Sequence, residues 1–256
     1  MATLTQPRPR LSRPIPGFDE PRLRLFDADE YFAMRDAGIL AEDEYLELIG
    51  GEILFRHPEI GGPERRPFTN AEYHALAWAE ILAPDERVQL IAGDIIVMSP
   101  VGNFHAECVD WITDVFTQSG KLAGHARVRV QGPMVMPDHS EPEPGLMLLK
   151  LREGGYLSDH PRPEDVLLLV EVSDSTLEYD RDVKLSLYAA AGVPEVWIVN
   201  LRDGWIESNT RPAGDGYRAT QRYAPGDTIA PQAFPDLAIP IERIVPPRPQ
   251  EENSAD

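Results

Sequence analysis

The stretch VLLLVEV at residues 166–172 decides the fold. It is apolar at every position but one, so it reads as a strand buried on both faces. The exception is Glu171. Burying an unpaired carboxylate is costly, so this acid must meet a cation, a hydrogen-bond donor or water. The plain alternative is that the strand surfaces there; the functional one is that ligands bind at the carboxyl ends of strands in open sheets. The segment 180–191 reads as a helix stopped by Gly192, and 195–201 as a further strand. Strand, helix and strand in that order predict an α/β core, a mixed sheet with helices packed on it. Lys184 lies one helical turn past Asp180. Its spacing predicts an exposed i, i+4 pair worth a few tenths of a kcal/mol, and it gains weight only if that helix face turns towards Glu171.

Working towards the N-terminus, SEPEPGLMLLK (140–150) approaches another strand through Pro142 and Pro144. Gly145 stands at the mouth of that strand, where a side chain is expected and a glycine packs nothing. The segment 127–136 reads as strand interrupted at Gly132-Pro133. The segment 103–118 reads as a helix with Phe104, Cys108, Ile112, Val115 and Phe116 on one stripe. His105 opens that helix, and a lone histidine there is most often a capping or surface residue. The other histidines show no metal-ligand spacing.

An internal repeat precedes this core. Residues 26–55 align without gaps to residues 68–97 at an offset of 42, with 14 of 30 positions identical. Each copy reads as a short helix and two strands joined at a tight turn, and Asp27 with Glu30 fits a capping box. Two copies are too few for a solenoid, so a local duplication is the simpler reading. Residues 1–25 are Pro- and Arg-rich and read as a disordered tail, as do residues 246–256. The domain reading is therefore a duplicated unit with linker at 26–67 and one core domain at 68–245.

The 256-residue chain has a formal charge of −19. A field of that sign disfavours nucleic acid, whose phosphates are held mainly by Lys and Arg. Lys121, Arg127 and Arg129 form only a weak basic patch. No apolar run reaches the roughly 18 residues a membrane span needs, and no secretory signal is apparent, so the expected location is cytoplasmic. Cys108 is the only cysteine, which excludes an intrachain disulfide and a thiolate zinc site.

The segment VLLLVEVSDSTLEYDRDVKLSLYAAAGVPEVWIVNL (166–201) resembles the restriction-endonuclease family called Uma-two, a branch of the PD-(D/E)XK nuclease superfamily. Segments 71–112, 130–149 and 226–244 resemble its other parts, in order. The resemblance implies a restriction-endonuclease-like mixed sheet flanked by helices. It also implies acids around Mg²⁺ or Mn²⁺, which would neutralise a DNA phosphate and activate water. Carried over by position, it implies a metal acid at Glu171, a lysine at Lys184, an acid at Asp94, a histidine at His105 and a glutamine at Gln131. Gln89 stands where the family has a glutamate, and Gly145 where it has the Pro-Asp acid. One charge pair at about 4 Å is worth roughly 4 kcal/mol at an effective dielectric of about 20, so losing that acid predicts a crippled metal site. Glu47 and Glu52 in the first repeat keep acids at the matching places, and Asp138, Glu141 or Glu143 are the candidate substitutes from the loop.

Two readings follow: a metal-dependent DNA phosphodiester hydrolase with a degraded site, or a catalytically inactive nuclease fold serving as a binding or interaction module. A homodimer is compatible with either.

Overall fold

The computed structural model describes residues 12–18, 21–56, 64–137 and 139–247. The chain divides into two compact units. The first holds residues 1–99 and 137–141, the second residues 100–136 and 142–256. This corrects the expected boundary at residue 67, because both repeat copies fold into the same unit. Most of the two expected tails, including residues 248–256, lies outside the described residues.

The first unit is built around the repeat. In the first copy a helix, Ala28–Asp36, is followed by strands β3 (Leu46–Ile49) and β4 (Glu52–Phe55). The second copy repeats this with Asn70–Trp78, β6 (Val88–Ile91) and β7 (Asp94–Val97). Both helices start with full capping boxes, Asp27 with Glu30 and Thr69 with Glu72. The tail expected to be disordered contributes β1 (Ser12–Pro14) and β2 (Arg22–Arg24). β2 lies just outside the 30 aligned residues, where the repeat continues: Arg24 matches Arg66 at the same offset, and β2 matches β5 (Glu64–Arg65).

The copies are crossed. β2 leads into the first copy but pairs with β7 of the second, Arg22 opposite Val97 and Leu23 opposite Ile96. β5 leads into the second copy but pairs with β4 of the first, Glu64 opposite Phe55 and Arg65 opposite Leu54. Arg24 bridges Glu30 (2.6 Å) of its own copy and Glu86 (3.0 Å) of the other. Arg66 bridges Glu72 (2.6 Å) of its own copy and Glu44 (2.9 Å) of the other. Burial alone would lower both guanidinium pKa values, but the hydrogen bonds and charges of the paired carboxylates overcome it and hold them above their usual value. The Phe26 and Phe68 rings meet at 5.6 Å between them.

The second unit carries a six-stranded sheet in the order β13-β12-β11-β10-β9-β8. Its strands are β8 (Ala126–Val130), β9 (Leu146–Lys150), β10 (Val166–Ser173), β11 (Glu195–Asn200), β12 (Trp205–Ala213) and β13 (Gly216–Tyr223). β10 is parallel to β11 and antiparallel to β9, so the sheet is mixed as expected. The strand expected over 127–136 stops at Val130, before Gly132-Pro133, where Pro133 has no N–H to continue a ladder.

The period of two along β10 assigns its faces. Leu168, Val170 and Val172 pack with Cys108, Val109, Ile112 and Phe116 of the helix Asn103–Gln118. Leu169 faces the opposite side, with Tyr188, Val193, Val196 and Ile198. Glu171 and Ser173 share that second side, under a helical run spanning 177–190. This run is not uniform: Leu177–Tyr179 is α, Asp180–Lys184 is π and Leu185–Ala190 is α. Among the described residues no helix is long and apolar enough to cross a membrane.

Candidate functional site

Three helical residues spaced by four, Asp180, Lys184 and Tyr188, look down on the end of β10. The Lys184 Nζ donates to Glu171 Oε1 at 3.2 Å, and the Tyr188 hydroxyl donates to the same oxygen at 2.6 Å. Lys184 Nζ also lies 3.5 Å from Asp180 Oδ1. The other Asp180 oxygen accepts hydrogen bonds from Ser173 Oγ at 2.8 Å and Thr176 Oγ1 at 2.7 Å. All three charged side chains are at most 7% exposed. The expected exposed pair of Asp180 and Lys184 is thus corrected: the pair exists, but the helix face turns inward. A π segment inserts an extra residue per turn and is often found at functional sites.

One ammonium therefore serves two carboxylates in a sealed place. Burial pushes the Glu171 carboxyl above the usual glutamate range, and the Asp180 charge adds to this against the pull of Lys184. Burial alone would lower the Lys184 pKa, but Glu171 and Asp180 more than offset it, so the ammonium stays charged. The Tyr188 hydroxyl is held well above its usual value, first by burial and then by the Glu171 charge, and serves as a donor.

Gly145 sits immediately before β9, beside the strand that carries Glu171. A Cβ at this position would lie 3.2 Å from the Val170 carbonyl oxygen and 3.3 Å from Val172 Cγ2. Both contacts are closer than an unstrained van der Waals approach. The missing side chain thus has a local cause: the backbones at Gly145 and Val170–Val172 run too close to admit one without a shift. Gln131 is exposed, with a positive φ of 43°, and its N–H donates to the Gly145 carbonyl at 3.1 Å. His105 is half-buried in the first turn of the helix Asn103–Gln118.

The remaining candidates belong to the first unit. Asp94 opens β7 and pairs with Arg65 Nη1 at 3.0 Å. Its carboxyl is pushed up chiefly by burial. Gln89 is buried in β6, opposite Ile96. Glu52 pairs with Arg13 at 2.7 Å and Glu47 with Arg56 at 3.0 Å. The first copy does not replace the second but pairs with it, so Glu47 and Glu52 have their own places. Of the loop acids, Glu141 is committed to His74, with Nε2 at 2.9 Å from Oε2. Glu143 is half-buried, and Asp138 lies outside the described residues.

The donor set does not fit a resident divalent ion. Magnesium and manganese need several free oxygen ligands. Here both donors on Glu171 Oε1 come from the chain itself, Asp180 Oδ2 accepts from two hydroxyls while Oδ1 faces Lys184, and position 145 has no side chain. Among the described residues no group of three or more His, Cys, Asp or Glu is placed to hold a metal ion.

The family Uma2, described as "Putative restriction endonuclease", matches residues 71–242, about two-thirds of the chain. The chain belongs to this family. The Uma2 match begins inside the second repeat copy, which leaves the first copy outside it. A solved structure titled as a putative nuclease belonging to DUF820, from Anabaena variabilis, is similar with a TM-score of 0.55 at 15% identity. That likeness covers 70% of this chain and 97% of the other. It supports a restriction-endonuclease-like fold. No curated protein matches the sequence.

Sequence reasoning singled out Glu171 and Lys184 but missed Tyr188, Ser173 and Thr176. The signal for Tyr188 was present: it continues the spacing of four from Asp180 through Lys184, on the face that meets Glu171.

Proposed function

We propose that this Uma2 chain keeps the nuclease scaffold as a binding module and does not hydrolyse DNA through a metal. The observation that carries this reading is the double capture of Glu171 Oε1 by Lys184 and Tyr188. With Oε1 already receiving an ammonium and a hydroxyl, this carboxylate has chiefly Oε2 left to offer a divalent cation. Lys184 would then remain in the same sealed place, and its charge would oppose the incoming ion. The close approach at Gly145 removes the acid that would offset this opposition.

A second reading is metal-dependent DNA phosphodiester hydrolysis with Mg²⁺ or Mn²⁺. One observation favours it: an acid and a lysine do meet at 3.2 Å at the end of the central strand, the arrangement the family's chemistry requires. The two readings separate in a nicking assay on supercoiled plasmid DNA with Mg²⁺ or Mn²⁺, run for the unaltered chain and for Glu171→Ala. The proposal expects equal, background nicking by both. Metal-dependent nicking by the unaltered chain that Glu171→Ala abolishes would overturn it.

A further inference from the structure

We infer that the first unit is a homodimer interface fused into one chain: the face presented by the second repeat copy is self-complementary, and its natural occupant is another copy of the same helix-and-hairpin unit, supplied here in cis by the first copy. An interface between like units is recognised by reciprocity, in which residue i of one meets residue j of the other and j meets i. Arg24 reaches Glu86, and Arg66 reaches Glu44; at the repeat offset of 42 these are the same contact made twice. β2 pairs with β7 and β5 with β4, again the same pairing made twice, in matching register. The cavity between the copies shows the same symmetry. It is lined by Leu23, Arg24, Phe26, Gly51, Glu52 and Ile53, together with the residue 42 positions after each.

The pattern of divergence supports self-complementarity. At the two bridges, the ring contact and the hairpin turn the copies have kept identical residues: Arg24 and Arg66, Phe26 and Phe68, Glu30 and Glu72, Glu44 and Glu86, Gly51 and Gly93, while the pairing strands differ at Leu23 and Arg65. Where they differ, exposed positions are prominent. Phe32 is 63% exposed and matches His74, Tyr45 is 80% exposed and matches Arg87, and Trp78 is 82% exposed and matches Asp36. A second copy facing another second copy would therefore retain the two-glutamate bridges of Arg66 and the phenylalanine ring contact. The family match starts within the second copy, which marks the first copy as the added partner.

The test inserts a specific protease site between Gly61 and Gly62 of the full chain, and reads particle mass by size exclusion with light scattering before and after cutting. The cut protein is expected to keep the mass of the uncut chain, with both fragments in one particle at 1:1. The same cut protein carrying Arg24→Glu is expected to hold its first fragment at least tenfold more weakly, and the released remainder is expected to double in mass by pairing second copy with second copy. Adding Arg66→Glu to that remainder is expected to abolish the doubling. Loss of the first fragment from the unaltered cut protein would overturn the inference, as would a remainder that stays single or becomes polydisperse after release.

Discussion

Both units of this chain bury a cation between two carboxylates, but they do so in different settings. In the first unit Arg24 and Arg66 each hold two glutamates, and the helix-capping partners Glu30 and Glu72 are still 25% and 21% exposed. The arrangement occurs twice because the sequence occurs twice, and each bridge ties one copy to the other. In the second unit Lys184 holds Glu171 and Asp180 once, with no symmetric counterpart and almost no solvent. The symmetric bridges are accounted for by the packing they maintain. The single sealed cluster has no such structural duplicate. Buried ion pairs are weak evidence for stability in themselves, so the place and uniqueness of a cluster say more than its existence.

Removing the cation from each setting sharpens this contrast. Lys184→Met leaves two carboxylates buried without a counter-charge, which costs about 3–5 kcal/mol when a buried pair is broken. Urea unfolding should record the loss. The Cys108 thiol offers an independent reading: it is fully buried, donates to the Ile244 carbonyl at 3.2 Å, and has its pKa pushed up by burial to about 12. It should therefore react with a thiol reagent only through opening of the second unit. Its labelling under conditions of fast reclosing should accelerate by about a hundredfold or more in Lys184→Met, at ten times per 1.4 kcal/mol. Unchanged labelling would mean that the cluster contributes nothing to holding the unit closed.

The bridges of the first unit should cost less and should cost the same twice. Arg24→Ala and Arg66→Ala are each expected to destabilise by about 2–3 kcal/mol, reduced from the fully buried case because water reaches the capping glutamates Glu30 and Glu72. The two values should agree within about 0.5 kcal/mol, the scatter expected of equivalent sites. A clear inequality would break the symmetry argument.

Restoring a side chain at Gly145 should be mildly unfavourable. Gly145→Ala places a Cβ against the Val170 carbonyl and Val172, and overpacking of this kind costs about 1–3 kcal/mol. A stabilised variant in thermal unfolding would show that the glycine is not there for close approach.

The smallest effect is a pH slope. The folded state holds the Glu171 carboxyl above its unfolded value, so it favours the protonated form. The stability this group contributes is complete below about pH 4 and declines as pH rises through the folded pKa. Comparing the unaltered chain with Glu171→Gln by urea unfolding from pH 4 to 8 should show the difference moving in the variant's favour as pH rises. A difference moving the other way would mean that Lys184 lowers the Glu171 pKa more than burial raises it.

Much of this molecule was legible in its sequence because hydrophobic period is a strong signal. The doubly apolar run at 166–172 gave the central strand, the stripe from Phe104 to Phe116 gave a covering helix, and the capping residues Asp27 and Glu30 gave a helix start. Residues 12–14 and 22–24 were misread as tail because proline and arginine dominate the composition around them. β2 is held by pairing with β7, some 70 residues away in sequence, and no local pattern records that. The offset of 42 did contain the clue, since Arg24 and Arg66 match just outside the aligned copies. Lys184 was misjudged for a related reason: spacing finds its partner Asp180 but cannot tell which way the helix face points. The inward turn depends on β10 lying beneath it, and on the π segment that carries Asp180 and Lys184.

The central claim is that Glu171 Oε1 is already occupied by the chain's own donors. The most direct measurement is a calorimetric titration of Mn²⁺ into the full-length protein, with Glu171→Ala as the comparison. The account predicts no saturable heat below millimolar Mn²⁺ in either protein. Stoichiometric binding in the micromolar range that disappears in Glu171→Ala would contradict it.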